Sequence, residues 1–197
     1  MSPRALVVVA VAAERDAVLR GHPDAEVVAA GVGPVAAAAV TAQTLRGHDA
    51  VFSMGIAGAF EAATGTLLGT AAVAADLGAE CDGEVVVLDL IRTRLPADPA
   101  LLERARAAVP DARVGELLTV WTVTGTADTA RRLRTSYPDA VGEAMEGFGV
   151  ASAAHLAGVP FLEVRTVSNA IGPRDRAGWT ITEALDRLSS VASVVLA

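Results

Sequence analysis

The 197-residue sequence is 52% hydrophobic but only 4% aromatic, and its formal net charge is −7. A chain of this length supports one well-buried domain or at most two small ones. Its acidity excludes phosphate-backbone binding, which needs a basic footprint.

Ala5 to Val11 is a continuous apolar, β-branched run, the pattern of a strand buried on both faces. The apolar stretch is about half as long as a membrane-spanning helix. It passes straight into Glu14, Arg15 and Asp16 without the small-residue cleavage site of a signal peptide, so the chain reads as cytoplasmic. A short amphipathic helix is expected from Glu14 through Leu19, then a turn over Gly21–Asp24 and a strand over Glu26–Ala30. Gly31-Val32-Gly33-Pro34 follows, with Pro34 placed as the first residue of a helix to about Leu45. Asp49–Met54 reads as a buried strand ending in a flexible turn, Gly55-Ile56-Ala57-Gly58.

Farther on, Thr70–Ala75 and Glu84–Leu90 read as strands on either side of an acidic turn, Glu80–Gly83. Pro99–Val109 reads as a helix, Leu117–Val123 as a strand ending in Thr124-Gly125-Thr126, and a further helix runs to Leu133. Arg131, Arg132 and Arg134 fit a solvated helix face. A polar turn with Met145 and Glu146 opens an Ala-rich helix, and the strand Val159–Val167, carrying Arg165, empties into Ser168-Asn169 and a Gly/Pro loop. Thr180–Leu196 closes the chain as an amphipathic helix with Thr180 or Thr182 as N-cap.

Strand and helix alternate throughout, with neither repeat nor linker. The expected fold is therefore α/β, a single three-layer α/β/α domain over residues 1–197 around a central, largely parallel mixed sheet. Strand ends then converge on one edge, the usual place for a ligand in such sheets. The chain contains no lysine, which removes Schiff-base chemistry and the P-loop amine. Cys81 is the sole cysteine, and His22, His48 and His155 show no metal-ligand spacing, so no metal site is expected. Catalysis must rest on carboxylates, arginines, amides and backbone groups.

Gly31-x-Gly33 and Gly55-x-x-Gly58 are not dinucleotide fingerprints, and each alone is compatible with a structural turn. In order, however, AVAAERDAV, GVGPVAAA, MGIAGAF, TVTGTA, AMEGFGVA and VRTVSNAIGPRDRAGW resemble the purine nucleosidase/phosphorylase superfamily. Within it the set is similar to the futalosine hydrolases, which release hypoxanthine from futalosine on a route to menaquinone. The resemblance runs from about Leu6 to the last helix and is weakest between Val85 and Ala112.

The resemblance implies a role for each matching residue. Glu14 would orient or deprotonate water, Met145 would pack on the sugar, and Glu146 would hold the ribose hydroxyls. Arg165 would order the acidic groups, while Ser168 and Asn169 would grip the base. Gly33 and Gly58 would line the sugar. Glu14 and Glu146 also fit ordinary carboxylates at helix starts, and Asn169 fits a turn residue. Phe148, Trp121 and Phe60 are candidates to stack on the base, with core packing the alternative. Arg174, Arg176 and Trp179 could receive the 5′ benzoate of futalosine, or the arginines could pair with Asp175.

Asn169 stands where adenine-cleaving relatives carry an Asp. A 6-oxopurine presents an acceptor at C6, which a carboxylate would repel and an amide NH₂ can satisfy. Ile56, in place of a small polar residue, is assigned no hydrogen-bonding role and favours water over phosphate as nucleophile. The expected activity is N-glycosidic hydrolysis without a cofactor, on a small-molecule nucleoside, in a homo-oligomer that binds neither nucleic acid nor membrane. The alternatives are a nucleosidase or phosphorylase acting on inosine or methylthioadenosine, and a non-catalytic nucleoside-binding protein.

Overall fold

The computed structural model describes residues 4–61, 63–82 and 84–197. The chain begins with β1 (Ala5–Val9), α1 (Ala12–Gly21), β2 (Glu26–Ala29), α2 (Pro34–Thr44) and β3 (Ala50–Ala59). It continues through β4 (Thr66–Ala74), β5 (Ala79–Cys81), β6 (Glu84–Val86), β7 (Arg94–Pro96), α3 (Pro99–Ala108) and β8 (Arg113–Thr119). The last third holds α4 (Ala127–Ser136), β9 (Ala140–Ala144), α5 (Gly147–Ala157), β10 (Phe161–Ala170) and α6 (Ile181–Val195).

Eight strands form one mixed sheet, and β5 and β6 form a separate two-stranded hairpin. β1 lies between β2 and β3, parallel to both, and β10 runs parallel to β3 on its other side. β10 then pairs antiparallel with β4, β4 parallel with β8, and β8 parallel with β9. β9 returns to the end of β3 through Gly58↔Glu143 and Ala59↔Gly142, so five strands close into a ring. Ala57, Ala59, Leu67, Leu117, Ala144 and Val167, drawn from those five strands, form one apolar cluster.

Alternation along the strands distributes the rest of the core. Val7, Val9, Phe52, Met54, Leu162 and Val164 pack against α1, α3 and α6 through Ala17, Val18, Ala105, Leu188 and Val191. Leu6, Val8, Val51 and Phe161 face Ala37 of α2 and Val150, Ala151 and Ala154 of α5. The sheet is thus covered on both faces, which suits its mostly parallel pairing. Among the described residues no helix is long and apolar enough to cross a membrane.

Several local expectations need correction. Gly55–Gly58 is not a turn but the last part of β3, because β10 and β9 supply its ladder partners. β10 likewise runs past Val167 to include Ser168 and Asn169, with a bulge between Val167 and Asn169. β8 begins at Arg113 and ends at Thr119, earlier than its apolar half suggests, since β4 and β9 pair with its polar start. Of Glu84–Leu90 only Glu84–Val86 is strand, and the expected turn at Glu80–Cys81 is part of β5. Gly83 lies outside the described residues. Thr180 does sit at the α6 N-cap, but its hydroxyl goes to Ser168 O at 3.3 Å rather than to the helix.

Candidate active site

Glu14 enters the site because α1 starts immediately after β1. It is the third helical residue, and its Oε2 accepts from Val11 N at 3.2 Å and Ala10 N at 2.9 Å, so the carboxylate folds back over the strand end. Its Oε1 accepts from Ile56 N on β3 at 2.9 Å. Three backbone N–H groups therefore hold a side chain only 3% exposed. Of roughly four lone-pair sites on a carboxylate, about one remains for a water. Ile56, assigned no hydrogen bond from its side chain, supplies one through its backbone.

Arg165 lies opposite Gly55 in the parallel β10–β3 register. Its Nε donates to Glu163 Oε1 at 2.9 Å, its Nη2 donates to Ser53 Oγ at 3.1 Å, and Nη2 lies 3.4 Å from Glu146 Oε2. A Cβ placed on Gly55 would sit 2.4 Å from Glu14 Oε1 and 2.8 Å from Arg165 Nη1, so only glycine leaves room for both groups. Burial alone would lower the Arg165 pKa, but the carboxylates of Glu163, Glu146 and Glu14 together hold it above the ordinary value. Burial pushes Glu163 up against the pull of Arg165, and its Oε2 has no hydrogen-bond partner among the described residues.

Glu146 stands at the N-cap position of α5, but its side chain makes no hydrogen bond to the helix and instead accepts from Gly33 N at 3.2 Å, across 113 residues of sequence. Gly33 can present that N–H because it precedes Pro34 with φ of +97°, a conformation that favours glycine. Arg165 thus contacts Glu146 directly, while Glu14, from the other end of the chain, lies near enough for its charge to act on the guanidinium. Met145 is half-buried beside Glu146.

Farther along β10, Ser168 is buried, and its hydroxyl lies 2.8 Å from Asn169 Oδ1 and 3.3 Å from Ala57 O. Asn169 pairs in register with Gly58, where a Cβ would stand 3.2 Å from Asn169 Nδ2. Phe148 and Trp121 border a cleft of about 200 Å³ with Pro34, Val35 and Thr119, whereas Phe60 packs near Leu133 under Arg134. Arg174 and Arg176 lie 5.8 and 5.9 Å from the Trp179 ring. Asp175 accepts from Ala177 N at 3.1 Å, capping a 3₁₀ turn. The loop docks through Arg174 N to Gly125 O at 3.3 Å.

Glu163, Ser53 and Glu143 escaped the sequence reading, and Gly55 was read only as part of a ligand-facing turn. Glu163 had a visible signal, because it lies two residues before Arg165 in a strand and therefore on the same face. Glu143 gave none, since β9 itself was not recognised. Among the described residues no group of three or more His, Cys, Asp or Glu is arranged to hold a metal ion.

Two buried glutamates thus lie in the surroundings of one buried arginine, with an amide farther along the strand that carries it. The chain belongs to the phosphorylase superfamily, whose sequence profile matches residues 19–197, beginning just beyond Glu14. It is 49% identical to a futalosine hydrolase of Streptomyces coelicolor, over 93% of this chain and 91% of that protein. Identity to a futalosine hydrolase of Acidothermus cellulolyticus is 43%, over 95% and 88%. Within the superfamily, then, the chain belongs to the family of the futalosine hydrolases. Solved structures confirm the fold at lower identity. S-adenosylhomocysteine nucleosidase of Streptococcus pyogenes, bound to 5-methylthiotubericidin, superposes with a TM-score of 0.87 at 21% identity, covering 100% of this chain and 97% of that one. The 5′-methylthioadenosine/S-adenosylhomocysteine nucleosidase of Colwellia psychrerythraea 34H, bound to adenine, gives 0.83 at 21%, covering 100% and 93%.

Proposed function

We propose that the protein hydrolyses the N-glycosidic bond of futalosine, releasing hypoxanthine and dehypoxanthine futalosine in the futalosine route of menaquinone biosynthesis. The observation that carries this reading is that Glu14 and Glu146 come from opposite ends of the chain to the surroundings of Arg165, Glu146 in contact with it and Glu14 beside it across Gly55, in a chain 49% identical to a futalosine hydrolase.

Glu14 holds a water on the face of the ribose away from the base and takes its proton as the oxygen attacks the anomeric carbon. The carbon–nitrogen bond breaks ahead of that attack, leaving an oxocarbenium-like sugar. Glu146 binds the 2′- and 3′-hydroxyls and places negative charge near the cation, with Met145 packed on the sugar and Gly33 and Gly58 lining it. The electron pair departs with hypoxanthine, whose N7/O6 edge accepts a hydrogen bond from the remaining N–H of the Asn169 amide, and the base takes its proton from solvent. Arg165 keeps the two glutamates in place. These steps use only groups of the chain and water.

Phe148 and Trp121 are suited to stack on the substrate, and Arg174 and Arg176, stacked on Trp179, offer cations for the benzoate. The chain acts as one domain, in the cytoplasm, in a homo-oligomer whose neighbouring subunit closes the 5′ side. Chromatography after incubation with futalosine tests the activity. Free hypoxanthine is expected with the wild type, without a requirement for phosphate. Glu14→Gln should bind futalosine yet release base at least about 10²-fold more slowly. Binding without release by the wild type would refute the hydrolase reading.

A further inference from the structure

We infer that Glu143 is a positioning residue of the base pocket, gripping Thr124 so that the loop between β8 and α4 stands as a wall facing Asn169. The inference rests on the reading above and extends it to a residue that the catalytic steps do not use.

Glu143 is 5% exposed, and both of its oxygens are occupied by one residue. Thr124 N donates to Oε1 at 2.8 Å, and Thr124 Oγ1 donates to Oε2 at 2.6 Å. The grip comes from ring closure, since β9 reaches the end of β3 in the register Gly58↔Glu143. The same Gly58 faces Asn169 in the β10 register. A Cβ built on it would lie 3.2 Å from Asn169 Nδ2 and 3.8 Å from Glu143 Cγ, so the two side chains flank one bare stretch of backbone.

The loop needs such an anchor. Trp121, Thr122 and Val123 are exposed, and Trp121 N is tied to Asp76 Oδ2 at 2.8 Å. On the α4 side a cavity of about 180 Å³ lies against Val120, Thr122, Thr124, Leu133 and Tyr137, so close packing does not fix the loop there. The Arg174 loop then docks on Gly125 O. Glu143 thus ties the strand that leads into Met145 and Glu146 to a segment that meets the Asn169 exit loop. Burial raises the Glu143 pKa while Thr124 lowers it, and the net is upward. That suits a geometric role. One oxygen can accept from Thr124 N while a hydroxyl or amide donates to Thr124 Oγ1, so glutamine reproduces the grip without the charge.

Steady-state hypoxanthine release from futalosine, together with calorimetric binding of free hypoxanthine, tests this on the full chain. Glu143→Ala should raise KM and weaken hypoxanthine binding by about tenfold with kcat within about threefold of wild type. Thr124→Val should move both in the same direction by a smaller factor. Glu143→Gln should restore both to near wild type, which loss of a merely ionic contact would not allow. Glutamine as damaging as alanine would overturn the inference, and so would an alanine variant with unchanged KM. If Glu143→Ala fails to fold, Thr124→Val carries the test, and unchanged binding in it overturns the inference. A wild type that binds hypoxanthine without releasing it from futalosine would refute the hydrolase reading alone, with calorimetry still deciding the role of Glu143. A wild type that binds no hypoxanthine refutes both.

Discussion

The Ser168 hydroxyl sits 2.8 Å from Asn169 Oδ1, and Asn169 Nδ2 donates to Ala170 O at 3.0 Å. An amide nitrogen carries two hydrogens, so one donor beyond that bond is available for a ligand. The serine thereby fixes which end of the amide faces the base. In Asn169→Asp the outward atom becomes an anionic acceptor opposite two purine acceptors. The mismatch should cost about 1–3 kcal/mol, or roughly tenfold or more in the ratio of 6-oxo to 6-amino substrate turnover. Competition between matched nucleosides measures that ratio, and an unchanged value would refute the polarity argument. The donor pattern of Asn169 follows from residue type alone, whereas its place in the site was read from the resemblance. The importance of Gly55 was not legible, since it lies in the close approach of Glu14 and Arg165 to it, residues 41 and 110 positions away. Ile56 misled for a related reason: its apolar side chain concealed a backbone N–H that serves Glu14.

Among the elements, α3 was read correctly because its signals are local. Asp98 accepts from Ala100 N and Leu101 N at 3.0 Å each, and Pro99 occupies the first helical position. Replacing Asp98 by Ala should cost about 1 kcal/mol. A lower urea midpoint with an unchanged slope and unchanged kcat would be the signature, because α3 packs on the sheet face shared with α1 and α6. Loss of activity in step with stability would argue against that separation. The strands were less legible. β9, with Gly142 and Glu143 in a five-residue span, lacks a β-rich pattern and exists because β8 and β3 pair with it. β3 looks finished at Met54, but its glycine-containing end persists because β10 follows it through Ala59. Local propensity is outweighed in both cases by ladder partners that are far away in sequence.

At the scale of the whole molecule, alternating strands and helices were enough to give the mixed α/β sheet, while closure of the ring depends on the nonlocal β9–β3 pairing. That closure and the site together bury carboxyl groups. Burial raises Glu163, Glu143 and Glu116, with Arg165, Thr124 and Arg94 respectively opposing. In the unfolded chain each group titrates near its ordinary value of 4.5. Between that value and the higher folded one, the native state binds more protons than the unfolded state. These groups therefore favour folding at low pH, and that contribution is lost as pH rises through the folded pKa. Glu26 acts in the opposite sense and lower down: desolvation pushes it up, but His48 and Arg4 bring it below the ordinary value. Glu163→Gln removes one raised group while its Oε1 can still accept from Arg165 Nε. Denaturant unfolding at a series of pH values should therefore show wild type and variant nearly equal at the acidic end. The variant should gain relative stability as pH rises above the ordinary carboxylate range. Parallel stability curves across that range would mean that Glu163 is not titrating differently in the folded protein.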